Sequence, residues 1–299
     1  DGSVNLWLFN HEEAVLNYRK SGARISKIHF NDSGSKFGYC DFGGVLSLWR
    51  FNSSPDGLHR PYVVRHNTMV NTGVVGTLTI SLSLSLSQAL QCHNKRAMDF
   101  AFLNAGSFIS TAGISSDNYN VCFWDLLVPP HKALVSALNC HEDGGAHSIV
   151  YSPRHQLLFS GGKQGEICTP MEMSGASFRL PSLTCEIRAA GVIDVRQRRI
   201  MNTIRAHAGT IKSMSLHPQE HLMVTGSSDG NAKIWDLPSV NEREVWNNVH
   251  ERTTFVRPRD MFSASSAVFT CGVMRVSFPD AFTLYSCGSD GRFLERSMK

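Results

Sequence analysis

The sequence predicts an all-β propeller, a ring of repeated four-stranded antiparallel sheets, and three observations carry that expectation. Four of the five tryptophans close short alternating apolar runs: Val4-Asn5-Leu6-Trp7, Val45-Leu46-Ser47-Leu48-Trp49, Val121-Cys122-Phe123-Trp124-Asp125 and Ala232-Lys233-Ile234-Trp235-Asp236. Trp7 and Trp49 are 42 residues apart, and Ile193-Asp194 stands 42 residues before Trp235-Asp236, which fits a blade of about 40–45 residues. Tight-turn chemistry recurs between the runs, as in Gly226-Ser227-Ser228-Asp229-Gly230.

Taken in order, the chain opens at a turn before a third strand, so the expected object is an N-terminally truncated ring whose parent carries seven blades. The unit 23–51 offers strands at Ile25–Phe30 and Lys36–Cys40 and a third ending at Trp49, but no opening histidine. The next runs from His93 through Thr111 to Trp124, with Asp117 one residue further from the tryptophan than in the best unit. His141 opens a fourth, with Ser160-Gly161-Gly162 and then Gln164-Gly165 where Asp-Gly is expected. The clearest unit spans His207 to Asp236, with strands at Ile211–Leu216, His221–Thr225 and Asn231–Trp235. From His250 a last unit reaches Ser289-Asp290-Gly291, and Arg296 takes the tryptophan position. Third strands number six, in blades or part-blades of one domain, 1–299.

Two segments break the period. Trp49 to Trp124 is 75 residues and Trp124 to Ile193 is 69, too long for one blade and too short for two. One atypical insertion is expected at 71–90, where the Leu-Ser alternation reads as an extra outer strand. The other is expected at 169–191, because joining Cys168 to Val192 restores an ordinary third strand. A retained intron and a long surface loop both account for it, since closure entropy grows slowly with loop length.

The best unit resembles the WD-repeat family: an opening His, a Ser/Thr-Gly-Ser-x-Asp turn, then Lys-x-Trp-Asp. That resemblance implies a hydrogen-bonded network across the blade, here His207, Thr225, Asp229 and Trp235. Weaker copies are implied at His93, Thr111, Asp117 and Trp124, at His141 and Ser160, at Trp49 and at Asp290. Buried imidazole and indole groups each need a partner, and a satisfied set can hold three strands together.

Composition excludes several classes of function. The 299 residues are 42% apolar and 18% charged with a net charge of +4, so the chain can bury a core and is not a basic nucleic-acid binder. No run of about 18 apolar residues or basic-then-apolar leader occurs, so the expectation is a soluble, cytoplasmic protein without direct membrane insertion. The eight cysteines contain no C-x-x-C pair and read as reduced core thiols. No helical metal motif, phosphate loop or nucleophile elbow is present, so no catalytic residue, metal ligand or cofactor is expected. Lys20, Arg24, Lys95, Arg96 and Lys163 fall in loops near one rim. Together they are a candidate surface for an acidic partner, although solvated surface charge is the plainer reading of any one.

Longer strings are more distinctive: Gly43-Gly44-Val45-Leu46-Ser47-Leu48-Trp49, Asp99-Phe100-Ala101-Phe102, Ser116-Asp117-Asn118-Tyr119-Asn120 and Asp194-Val195-Arg196-Gln197-Arg198. They resemble the C-terminal WD-repeat region of the DmX-like (rabconnectin) proteins. The resemblance implies a non-catalytic scaffold that assembles or regulates the vacuolar-type proton-pumping ATPase (V-ATPase) on vesicle and endosomal membranes, with V-type ATPase subunits and Rab-regulator complex members as partners. The alternative reading is a substrate-recognition propeller of a ubiquitin-ligase or chromatin complex; a propeller enzyme is disfavoured by the missing acid-base and metal constellations.

Overall fold

The computed structural model describes residues 2–7, 16–19, 22–53, 82–103, 107–141, 144–169, 193–194, 199–200, 202–237, 239, 241–256 and 268–298. These form a WD β-propeller, and among the described residues the helical content is one 3-10 turn at Pro130–Lys132. Lys20, residues 71–81 and residues 170–191 lie outside this set.

Blade 1 is a hairpin of Ser3–Leu6 and Leu16–Arg19. Blade 2 runs from its inner strand Ile25–Phe30 through Lys36–Asp41 and Val45–Ser53 to the outer strand Leu82–Gln91. Blade 3 repeats that order with Arg96–Leu103, Phe108–Ile114, Val121–Asp125 and Leu134–Leu138. Blade 5 does so with Ile211–Leu216, Leu222–Ser227, Ala232–Asp236 and Asn241–Trp246. Blade 6 contributes Val273–Ser277, Thr283–Gly288 and Phe293–Ser297, and a hairpin of Thr253–Val256 with Val268–Cys271 sits between His250 and its inner strand. The Leu-Ser alternation supplies the outer strand of blade 2, paired from Val45 opposite Gln91 to Ser53 opposite Leu82.

Blade 4 has the same sheet with its third and outer strands each in two pieces. Ala146–Ser152 and Leu157–Gly162 are followed by Glu166–Thr169, and the third-strand position is resumed by Ile193–Asp194. The outer positions are filled by Arg199–Ile200 and Asn202–Arg205. Register shows how the pieces relate. In blade 5, Met223 faces Trp235 and Leu222 faces Asp236; in blade 4, Leu158 faces Ile193 and Leu157 faces Asp194, while Ser160 faces Cys168. The outer ladder slips by one residue at the same point in both blades, between Ile234 and Trp235 in one and between Thr169 and Ile193 in the other. The third strand therefore resumes after 170–192 in the register an unbroken strand would have, and Ile193 holds the tryptophan position.

Because side chains alternate along a strand, each blade presents one apolar face to each neighbour. The core accordingly lies between blades. Leu46, Leu48 and Leu90 of blade 2 pack on Phe100 and Trp124 of blade 3; Val121 and Phe123 of blade 3 pack on Ile149 and Leu158 of blade 4. Phe159 and Ile167 meet Met214 and Trp235 across the next seam, and Val224 and Ile234 meet Val276 and Leu284 across the last.

All five inner strands carry a bulge at the same place, where one residue has no partner on the second strand. The extra residues are Ser26, Met98, His147, Lys212 and Met274. A bulge re-aims its side chain, and here the five come together around the axis.

Candidate functional site

Blade 5 shows the site's chemistry in full. Asp229 only accepts hydrogen bonds, so His207 must carry its proton on Nδ1, which donates to Asp229 Oδ2 over 3.1 Å. That leaves the His207 Nε2 lone pair to accept from the Thr225 hydroxyl at 2.8 Å. Trp235 Nε1 is a donor without an acceptor function and gives its proton to the same Thr225 oxygen at 2.9 Å. Burial opposes ionisation of Asp229, but His207 and the backbone N–H groups of Asn231 and Ala208 outweigh it and lower its pKa. One carboxylate thus sets a tautomer, and the tautomer sets the direction of every bond that follows.

The other blades use the same peg with different parts. In blade 3, His93 Nε2 and Trp124 Nε1 meet the Thr111 oxygen at 3.1 and 3.0 Å. Nδ1 of His93 faces Ser115 Oγ at 3.3 Å, while Asp117 turns away to accept the Tyr119 N–H. With no carboxylate in hydrogen-bond contact, burial pushes the His93 pKa down to about 4. In blade 4, His141 Nδ1 donates to Glu166 Oε1 at 2.8 Å and Nε2 accepts from Ser160 at 2.9 Å. Glu166 follows the turn glycine instead of preceding it, and its longer side chain reaches back. Blade 6 pairs His250 with Asp290 at 3.0 Å and with Ser286 at 3.1 Å, and Arg296 lies over the Trp246 ring of blade 5, 4.7 Å from its centroid. Blade 2 has Tyr39 where the hydroxyl residue stands elsewhere, and its Trp49 stacks on Phe37 at 6.4 Å.

Each histidine is also tied to the preceding blade. His207 N–H donates to Gly165 O at 2.9 Å and His250 N–H to Gly230 O at 3.3 Å. Both glycines have positive φ, 84° and 86°, and a Cβ on Gly165 would lie 2.0 Å from the His207 carbonyl oxygen. Blade 3 has no glycine there. The Asn120 side chain takes over, accepting from His141 N–H at 3.3 Å and donating to His141 O at 2.6 Å.

A second hub joins three blades near the axis. Asp99 of blade 3, 1% exposed, accepts from Lys27 Nζ at 3.0 Å and contacts His29 Nε2 at 3.2 Å in blade 2. From blade 4 it accepts the Ser148 hydroxyl and the Ile149 N–H, each at 3.2 Å. Burial alone would raise its pKa, but Lys27 and His29 outweigh that and hold the carboxyl well below the usual range. The one sequence signal for it is a charge inside the apolar run Ala97 to Phe102.

Comparison with known proteins follows this geometry. A family model described as "WD domain, G-beta repeat" matches residues 198–236. The mouse protein named DmX-like protein 1 is 34% identical over 97% of this chain, and its human counterpart 32% over the same share. The chain is therefore similar to the DmX-like proteins over nearly all of its own length. It spans 8% of the length of those relatives. A Xenopus tropicalis protein named WD repeat-containing protein 90 is 31% identical over 28% of the chain, which is 5% of its own length. Kinship with these proteins and the WD repeat together support a protein-interaction scaffold.

Four of the five rim cations fall within the described residues of the propeller. All four sit at the end of the sheets where inner strands begin. Arg24 and Arg96 both lie over the Phe42 ring, at 5.3 and 5.1 Å from its centroid. Lys163 is exposed and its carbonyl accepts the Thr210 hydroxyl at 3.0 Å. Lys95 is exposed in the turn before Arg96. Cys92 and Cys140 precede peg histidines but point into the blade seams, and burial pushes the Cys40 and Cys122 thiols up to about 12. Among the described residues no helix is long and apolar enough to cross a membrane, and no group of three or more His, Cys, Asp or Glu side chains could hold a metal ion.

Proposed function

We propose that this propeller is part of a large non-catalytic adaptor that assembles or regulates the vacuolar-type proton-pumping ATPase on vesicle and endosomal membranes, with links to Rab regulators. The observation that carries the scaffold half of the reading is the repeated histidine peg. It locks blades 3 to 6 internally and ties each to its predecessor, so rim loops can differ in sequence on a shared frame. Turn carboxylates that could serve as acids or bases are committed to that frame: Asp41 accepts the Gly43 and Val45 N–H groups, and Asp229 and Asp290 hold histidines. Kinship with DmX-like proteins supports the pump as client.

Affinity purification of the tagged chain from cells, with quantitative mass spectrometry, tests the reading. Pump subunits and Rab regulators should be enriched, and less so with Arg24→Glu/Arg96→Glu. Enrichment of cullin adaptors or histones in their place would overturn it.

A further inference from the structure

We propose that the axial end of the propeller is a binding site for a small phosphorylated anion. A cavity of about 280 Å³ opens there, and the bulge residues of all five inner strands line it. It lies just below the range of about 300–1,000 Å³ usual for small-molecule sites. Arg24, Lys27, Lys212 and Arg275 face it, and no acidic residue does.

Lys27 is balanced by Asp99. Arg24, Lys212 and Arg275 have no carboxylate partner among the described residues, so the mouth carries three uncompensated positive charges. The lining serines cannot add donors. Ser26 gives its proton to Ala97 O at 2.6 Å and Ser213 to Val276 O at 3.2 Å, both across a blade seam.

His147 lines the cavity as well. Burial first, then the charge of Lys212, lowers its pKa to about 4, so the ring is neutral near pH 7 and adds no charge of its own. The positive charge at the mouth is therefore that of Arg24, Lys212 and Arg275, whose donors suit phosphate oxygens. A carboxylate, with one charge, would leave most of that positive charge unanswered. The cavity exceeds a single phosphate, which favours a small metabolite bearing more than one.

Calorimetric titration of the full chain with inositol trisphosphate tests the site, with vesicles of phosphatidylcholine with and without phosphatidylinositol bisphosphate as a second arm. Saturable one-site binding and a raised Tm are expected. Arg275→Glu and Lys212→Glu should each weaken binding by about tenfold or more, whereas Lys95→Glu, on the rim outside the cavity, should change it by less than about twofold. Equal weakening by Lys95→Glu, or binding by neither probe, would overturn the site. Sedimentation with the anionic vesicles without binding of the soluble probe would overturn the metabolite as source in favour of a lipid headgroup.

Discussion

Thr225→Val separates the hydroxyl of the blade 5 peg from its shape. Thr225 is 0% exposed, and its oxygen serves both His207 Nε2 and Trp235 Nε1. Valine keeps the branched outline and strands both partners. A buried polar group left unsatisfied costs about 1–3 kcal/mol, so two cost about 2–6 kcal/mol, less about 0.8 kcal/mol for the added apolar methyl. Ser286→Ala is the internal control, because blade 6 has Arg296 at the tryptophan position and only His250 Nε2 loses its partner; its cost should be about 1–3 kcal/mol. Urea unfolding followed by tryptophan fluorescence and circular dichroism measures both, with the slope held fixed as a check on the unfolded state. A Thr225→Val variant no less stable than Ser286→Ala would refute the shared-hydroxyl reasoning.

Acid should loosen the ring before carboxylates titrate. The pKa of His93 and of His147 falls from 6.5 to about 4 on folding, so between those values the unfolded chain binds more protons. Stability then drops with pH by about 3 kcal/mol per histidine across the window, and equal urea midpoints at pH 7 and pH 4.5 would contradict this. Asp99→Asn leaves Lys27, whose side chain is 9% exposed, without its counter-charge; a loss of about 3–5 kcal/mol is expected, and a change below about 1 kcal/mol in thermal or urea unfolding would speak against the hub. Deleting 170–192 joins Thr169 to Ile193 with no change of register. That variant should unfold cooperatively at a Tm no lower than the parent's, and an aggregated or molten product would count against strand continuity.

Most of the frame was legible in the residues. Period-2 runs, turn glycines and recurring tryptophans locate the strands, and the spacing of His207, Thr225, Asp229 and Trp235 marks one peg. Departures were harder to read, because a hydrogen bond depends on where an atom arrives and not on which position bears it. Glu166 reaches His141 from the far side of the turn glycine, Ser115 faces His93 while Asp117 caps a neighbouring amide, and the Asn120 amide stands in for a glycine carbonyl. None of these follows the pattern of the best unit. The Leu-Ser alternation likewise looked surplus until its pairing with Val45–Ser53 placed it as an ordinary outer strand.

Alternation and turn chemistry are properties of neighbours along the chain, so strand identity, blade period and the apolar faces that become seams were determined by sequence alone. Only the tertiary structure decided what gathers at the axis. Ser26, Met98, His147, Lys212 and Met274 are far apart in sequence and share no motif. They meet because each inner strand bulges at the same height and the blades, packed seam to seam, turn those bulges toward a common centre.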